Sequence, residues 1–201
     1  IYSMLKNASR DYRYDIYVLS SDINADNRRR MTLFFSLFGA DVSLRFVDVS
    51  RLVDDYDLAT NNPHISVETY YRFLIQELLP FYDKVLYLDS DLIVKDDISG
   101  LYETDLGNNL LAAVRDLDFL AHINTKNDNR VEYAKTVLGM TDPYSYFQAG
   151  VLLLNIKAMR DYHTIEEWLT FAGDERFIYN DQDALNAQCE GRITYIDYDW
   201  N

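Results

Sequence analysis

Two carboxylates separated by one residue, Asp89 and Asp91, are the side chains whose type and spacing most directly indicate chemistry. They follow the apolar run 85–88. Residues i and i+2 of an extended backbone project from one face, so both acids point the same way and Ser90 points the other way. Two hard carboxylate oxygens on one side suit Mg²⁺ or Mn²⁺, and a cation with only two such ligands keeps positions open for substrate phosphates.

The stretch 84–95, KVLYLDSDLIVK, is the element that must position these acids. Its apolar residues are typical of a strand buried on both faces in a parallel sheet flanked by helices. Open α/β sheets bind ligands beyond the carboxyl ends of their strands, which is where the two acids lie. A turn after the strand is the alternative interpretation, but adjacent like charges beside an apolar sheet are costly unless something neutralises them.

Arg72 is a cation within a predicted helix that begins after the N-cap Ser66 and ends at Leu79, before a proline. The apolar stripe of this helix occupies a different face from Arg72. Arg72 is therefore either a surface cation or a clamp for a phosphate, a role that the planar guanidinium suits.

Other polar side chains stand at the ends of predicted elements further along the chain. Asp116 follows a predicted buried strand, 110–114. Gln148 precedes an alanine and a glycine, whose small side chains either let another group approach the backbone closely or mark a simple bulge. The run 180–183, NDQD, begins a predicted helix, and its two acids flanking a glutamine exceed what capping requires.

The remaining pattern alternates strands and helices, as in an α/β protein. Strand, helix and strand over 14–20, 24–38 and 42–49 predict a right-handed βαβ unit. The helix carries an apolar stripe formed by Met31, Leu33, Phe34, Leu37 and Phe38.

Composition restricts the classes of partner. The 201 residues suit one domain, and 48% hydrophobic residues suffice for a sizeable core. A formal net charge of -14 argues against nucleic acid but allows a nucleotide, because a metal supplies positive charge locally. The lone Cys189, interpreted as a buried small side chain rather than a nucleophile, fits a reducing compartment. With no transmembrane stretch or signal peptide in the sequence, these features predict a cytoplasmic protein.

Four stretches of the chain together resemble the family 8 glycosyltransferases, the retaining group that includes bacterial lipopolysaccharide galactosyl- and glucosyltransferases and glycogenin. They are HISVETYYRF at 64–73, VLYLDSDLIV at 85–94, FQAGVLLLN at 147–155 and NDQDALN at 180–186. Each is weak alone, but the four occur in the family's order and spacing, and the resemblance covers nearly the whole chain. It implies an α/β protein of the GT-A (Rossmann-like) fold, with a mixed, mainly parallel sheet flanked by helices.

The resemblance also implies an activity. Members of the family transfer a hexose, here galactose or glucose, from a UDP-sugar with retention at the anomeric carbon. The implied cofactor is Mn²⁺, with Mg²⁺ as the alternative. The implied partners are the UDP-sugar donor and a glycan or lipid-linked glycan acceptor in bacterial lipopolysaccharide biosynthesis.

Carried over residue by residue, the resemblance assigns roles to named side chains. The metal ligands are Asp89 and Asp91. The pair closest to the anomeric centre, and hence the catalytic candidates, are Asp181 and Gln182. The residues expected to bind the donor are His64, Ile65, Thr69, Arg72, Ser90, Asp116, Gln148 and Ala149.

Two elements of the family fall outside the sequence. A first strand that holds uracil and ribose would precede Ile1, and a late motif with a third metal ligand and a diphosphate-binding lysine would follow Asn201. We therefore expect residues 1–201 to be a single GT-A domain, truncated at both ends, that binds donor poorly alone. A basic segment after Asn201 would allow peripheral contact with a membrane.

Two other functions fit parts of the pattern. Aspartyl-phosphate phosphatases also carry Asp-x-Asp after a buried strand, but they normally have Thr or Val at the position of Ile93. A degenerate transferase that binds a nucleotide sugar or carbohydrate without transferring it is the second alternative. A nucleotidyltransferase is disfavoured because the sequence lacks a glycine-rich phosphate loop.

Overall fold

The computed structural model describes residues 1–38, 41–53, 56, 58 and 66–200. The chain divides into two compact units. The first comprises Ile1–Asp55 and Asp89–Glu103, and the second comprises Tyr56–Leu88 and Thr104–Asn201. The single-domain organisation of residues 1–201 stays a prediction.

Strands and helices alternate along most of the chain. The strands are β1 (Arg13–Ser20), β2 (Asp41–Asp48), β3 (Lys84–Leu88), β4 (Leu111–Arg115), β5 (Phe147–Asn155) and β6 (Ile193–Tyr195). The helices are α1 (Tyr2–Asn7), α2 (Ala25–Phe35), α3 (Ser50–Val53), α4 (Tyr71–Leu78), α5 (Ser99–Tyr102), α6 (Leu117–Ile123), α7 (Arg130–Thr136), α8 (Ile156–Tyr162), α9 (Ile165–Ala172) and α10 (Asp181–Cys189). A 3-10 turn, Val67–Tyr70, leads directly into α4.

The first unit contains a parallel pair of strands. β1 and β2 pair from Arg13 opposite Asp41 to Ser20 opposite Asp48. The connecting helix α2 begins after Asn24, whose side chain accepts a hydrogen bond from a backbone N–H of the first turn. The parallel strand–helix–strand arrangement predicted from the sequence is therefore confirmed.

The second unit is built on a four-stranded sheet in the order β3-β5-β4-β6. β5 is antiparallel to both β3 and β4, whereas β4 and β6 are parallel. The predicted α/β class with a mixed sheet is thus confirmed. The five residues of β3 are only half-buried, so the prediction of a strand buried on both faces is wrong. The reason is that β3 lies at one end of this four-stranded order and, among the described residues, pairs with β5 only.

The core of the second unit lies around β4 and β5. Residues 111–114 of β4 are at most 1% exposed, which is the burial expected of a central strand covered on both faces. Trp168 of α9 is completely buried and stacks on Phe73 of α4, with ring centroids 5.4 Å apart. Cys189 is also fully buried, and burial raises the pKa of its thiol, in agreement with a structural cysteine. None of the helices in the described residues is long and apolar enough to span a bilayer.

Candidate active site

A cleft of about 410 Å³ opens in the second unit where β4 ends. The amino end of the antiparallel strand β5 lies beside this point, because Arg115 pairs with Phe147. The first turn of α10 completes the wall. The lining residues are Val114, Arg115, Asp116, Leu117, Asp118, Gln148, Gln182 and Tyr198.

The side-chain amide of Gln182 makes three hydrogen bonds in the wall of this cleft. Its Nε2 donates to Asp116 Oδ2 at 2.9 Å and to the Tyr146 hydroxyl at 3.2 Å. Its Oε1 accepts the backbone N–H of Ala149 at 2.9 Å. Reversing the amide would set N–H against N–H and carbonyl against carboxylate, so these partners determine its orientation.

Asp116 has a structural and a cleft-facing role at once. Its Oδ1 accepts the backbone N–H of Phe119 at 2.9 Å and caps α6, while Oδ2 accepts from Gln182. Its own N–H donates to the carbonyl of Tyr146 at 3.0 Å, which ties the end of β4 to the start of β5. The carboxylate is therefore held in one orientation at the rim of the cleft.

Arg72 and Asp181 form a buried ion pair next to these groups. Arg72 Nε lies 2.9 Å from Asp181 Oδ2, and the two side chains are 6% and 5% exposed. The guanidinium also donates to the carbonyl oxygens of Thr69 and Ala149, and its Cζ lies 4.5 Å from the centroid of the Tyr87 ring. The interpretation of Arg72 as a surface cation is therefore wrong, because the tertiary fold covers its helix on that face as well.

The backbone of Ala149 connects the hydrogen bonds of Gln182 with the ion pair of Arg72 and Asp181. Its N–H donates to Gln182 and its carbonyl accepts from Arg72. Its small side chain, 2% exposed, permits both approaches. The neighbouring Gln148 folds back so that its Oε1 accepts the N–H of Gly150 at 2.8 Å, and it lines the cleft.

A second buried carboxylate, Asp183, follows Gln182 in α10. It accepts hydrogen bonds from the hydroxyls of Tyr146 at 2.7 Å and Tyr133 at 2.6 Å. It also accepts the backbone N–H groups of Ile178 at 2.9 Å and Tyr179 at 2.7 Å. Burial raises the pKa of the Asp183 carboxyl, although all four donors favour its ionised form. Sequence reasoning missed both tyrosines, and its only signal was that two acids flank Gln182.

The structure brings together most of the residues that the sequence nominated. Those in contact with one another or with the cleft are Thr69, Arg72, Asp116, Gln148, Ala149, Asp181 and Gln182. His64 and Ile65 lie outside the described residues.

Asp89 and Asp91 belong to the first unit, immediately after β3. Asp89 is half-buried, whereas Ser90 and Asp91 are exposed in a turn. The described residues contain no group of three or more His, Cys, Asp or Glu that would hold a metal ion unaided. Two carboxylates fit a hard divalent cation as part of a coordination shell that substrate or other residues complete.

Comparison with known proteins gives one consistent result. The family model described as Glycosyl transferase family 8 matches residues 1–201. A putative glycosyltransferase of Haemophilus influenzae is 28% identical over 203 residues, a match that spans 100% of this chain and 57% of that protein.

Two solved structures are also similar. The bifunctional glycosyltransferase WbbM in its apo form is 33% identical, with a TM-score of 0.86 over 99% of this chain and 36% of that one. The galactosyltransferase LgtC, solved with donor and acceptor sugar analogues, is 31% identical, with a TM-score of 0.77 over 98% of this chain and 66% of that one. The chain thus spans 36% to 66% of the length of the three proteins.

Proposed function

Because this chain belongs to glycosyltransferase family 8, we propose that it is the catalytic part of a retaining hexosyltransferase. It transfers galactose or glucose from a UDP-sugar to a glycan or glycolipid acceptor. The observation that carries the proposal is the cleft of about 410 Å³ with Asp116, Gln148 and Gln182 in its wall. Its size is typical of a small-molecule site, and carboxylate and amide groups are suited to sugar hydroxyls.

Asp89 and Asp91 are the proposed metal ligands, for Mn²⁺ or alternatively Mg²⁺. Their oxygen donors suit either cation, and two protein ligands leave positions for the phosphates of the donor. When bound, the cation offsets the charge that develops on the diphosphate as the sugar–phosphate bond breaks.

The residues of the cleft bind and orient the sugar. Asp116 accepts a hydrogen bond from a hydroxyl of the hexose through the carboxylate oxygen that faces Gln182. The amide of Gln148 supplies a further donor. Arg72 holds Asp181 and the carbonyl of Ala149, and this arrangement supports a role in keeping the floor of the sugar site rigid. A direct contact of Arg72 with the phosphates of the donor stays a prediction.

Retention at the anomeric carbon requires either a covalent intermediate or attack on the face that the phosphate leaves. Asp181 accepts from the Thr69 hydroxyl and pairs with Arg72, and its side chain is 5% exposed. A carboxylate committed in this way is a poor nucleophile. These contacts favour the second route, in which the leaving phosphate accepts the proton of the acceptor hydroxyl.

Asp181→Asn is therefore expected to lower kcat by roughly 10- to 100-fold without abolishing transfer, because loss of the charge displaces Arg72 from its position. Steady-state UDP release measures the effect, and chemical denaturation shows whether the variant is folded. A folded variant with turnover no faster than the uncatalysed reaction would instead identify Asp181 as an essential nucleophile.

The test of the proposed function is nucleotide release from a panel of UDP- and GDP-sugars, with and without Mn²⁺. The protein should include the flanking sequence that longer relatives possess. Release of UDP from one sugar, dependent on the metal, is the expected result. Binding of a donor without transfer or hydrolysis would point to a non-catalytic module, and phosphatase activity without a nucleotide would support the aspartyl-phosphate alternative. Cytoplasmic location and peripheral membrane contact stay predictions.

A further inference from the structure

Asp183 is a buried carboxylate that the proposed reaction does not use. It is 0% exposed and is not among the residues that line the cleft. Both of its oxygens accept hydrogen bonds, one from Tyr146 and the other from Tyr133 and two backbone N–H groups. No arginine, lysine or histidine of the described residues pairs with it. An ionised group is costly in this position unless its fixed orientation serves a purpose.

The first consequence of this arrangement is the polarity of the Tyr146 hydroxyl. Burial and the nearby Asp183 carboxylate raise the pKa of Tyr146, so its hydroxyl keeps its proton. That single proton is donated to Asp183 at 2.7 Å. The hydroxyl oxygen must therefore act as an acceptor toward Gln182, whose Nε2 lies 3.2 Å away. The ring of Tyr146 stacks on Phe119 with centroids 3.8 Å apart, which prevents it from moving aside.

The second consequence concerns the turn before α10. Asp183 Oδ2 accepts the N–H groups of Ile178 and Tyr179, the residues that lead into Asn180. Asn180 has φ of 46° and ψ of -109°, a positive-φ conformation that residues other than glycine rarely adopt. The turn presents the next two residues, Asp181 and Gln182, to the site. Asp183 thus fixes the turn that precedes Gln182, and it also fixes the Tyr146 hydroxyl that the Gln182 side chain contacts.

We propose that Asp183 is a positioning residue for Gln182, acting through the Tyr146 hydroxyl and through the turn 178–180. This inference rests on the proposed function in so far as Gln182 is assigned to the sugar site. Asp183 accepts hydrogen bonds from its four donors but makes no contact with substrate. Its role is to keep the Tyr146 hydroxyl oxygen available as the third partner of the Gln182 amide, beside Asp116 and Ala149.

The two tyrosines provide a matched test. Tyr146→Phe removes the hydroxyl that connects Asp183 to Gln182. Tyr133→Phe removes a hydroxyl that donates to the same carboxylate and accepts the N–H of Ile178, but that Gln182 does not contact in the described structure. Asp183→Asn is less informative, because the amide would place N–H groups against donors and lower stability for that reason alone. Both tyrosine variants keep the size of the ring.

Tyr146→Phe is expected to lower kcat roughly 10- to 100-fold with little change in KM for the donor, as misplacement of a site group does. Tyr133→Phe is expected to reduce kcat far less at a comparable loss of thermal stability. The readout independent of activity is hydrogen exchange of the Gln182 side-chain amide by ¹⁵N NMR, with the signals assigned from Gln182→Glu. The protection of this amide should fall in Tyr146→Phe and persist in Tyr133→Phe.

The outcomes separate this inference from the proposed function. Equal losses of kcat in the two variants, or unchanged protection of the Gln182 amide in Tyr146→Phe, would overturn the positioning of Gln182 through the Tyr146 hydroxyl. If the wild-type protein transfers no sugar, the proposed function is refuted. If the Gln182 amide nevertheless loses protection in Tyr146→Phe and keeps it in Tyr133→Phe, the positioning of Gln182 by Asp183 is supported.

Discussion

Arg72→Met is expected to lower the free energy of unfolding by about 3–5 kcal/mol, the usual cost of removing one partner from a buried ion pair. The guanidinium lies 2.9 Å from Asp181 and donates to carbonyl oxygens of two other segments. Methionine fills much of the same volume but leaves the Asp181 carboxylate buried without its cation. Urea denaturation followed by circular dichroism measures the change. Sugar transfer should fall as well, because the backbone of Ala149, which also donates to Gln182, loses its hydrogen bond from Arg72.

Two further variants show whether charge burial causes this loss. In Arg72→Met combined with Asp181→Asn the uncompensated charge is absent, so the double variant should be more stable than Arg72→Met alone. Arg176→Met makes the same side-chain change in an exposed pair with Asp174, where solvent screens the interaction, and it should change stability far less. Equal losses of unfolding free energy in Arg72→Met and Arg176→Met would show that burial does not increase the contribution of the Arg72–Asp181 pair to stability.

Asp89→Asn combined with Asp91→Asn is expected to lower metal-dependent turnover by about 10³-fold, equivalent to about 4 kcal/mol of transition-state stabilisation. The reason is that neutral amides are weak ligands for a hard divalent cation, and the double substitution removes both of the proposed carboxylate ligands. Mn²⁺ titration followed by electron paramagnetic resonance gives a second readout that needs no donor. Binding of Mn²⁺ should weaken in parallel with turnover.

The matched control removes two other negative charges from the same unit. Asp96→Asn with Glu103→Gln alters exposed acids on either side of α5. It should leave Mn²⁺ binding and turnover near the wild-type values, because a change in net charge alone has little effect at physiological ionic strength. Unchanged Mn²⁺ affinity in the Asp89 and Asp91 variant would mean that the metal binds elsewhere or is not used.

Local patterns predicted most elements of the fold correctly. The strands β1, β2 and β4 and the helices α2 and α10 lie where apolar periodicity and capping residues placed them. Periodicity was less informative about which surface is covered. Leu33, Phe34 and Leu37 of the predicted stripe are 59%, 48% and 80% exposed, whereas the neighbouring Phe35 is 9% exposed. A stripe defines residues that share a face, but the neighbouring elements decide whether that face is buried.

Short-range chemistry was also enough to nominate the residues of the candidate site. Asp116, Gln148, Asp181 and Gln182 were identified by acids and amides at the ends of strands and helices. These residue types stand out because charged or amide groups beside apolar runs are costly without a partner or a function. Their partners lie far away in the chain, as in the hydrogen bond from Gln182 to Asp116, so no sequence spacing reveals them.

The α/β class could be read from residue types and their local order, whereas the family and the full list of candidate side chains came from the resemblance of four motifs. The burial of Arg72, the antiparallel placement of β5 and the support of Gln182 by Tyr146 and Asp183 emerged only from the folded chain. The physical reason is that propensity and periodicity act over a few residues. Burial and hydrogen-bond direction depend instead on segments that meet only after the sheet has assembled.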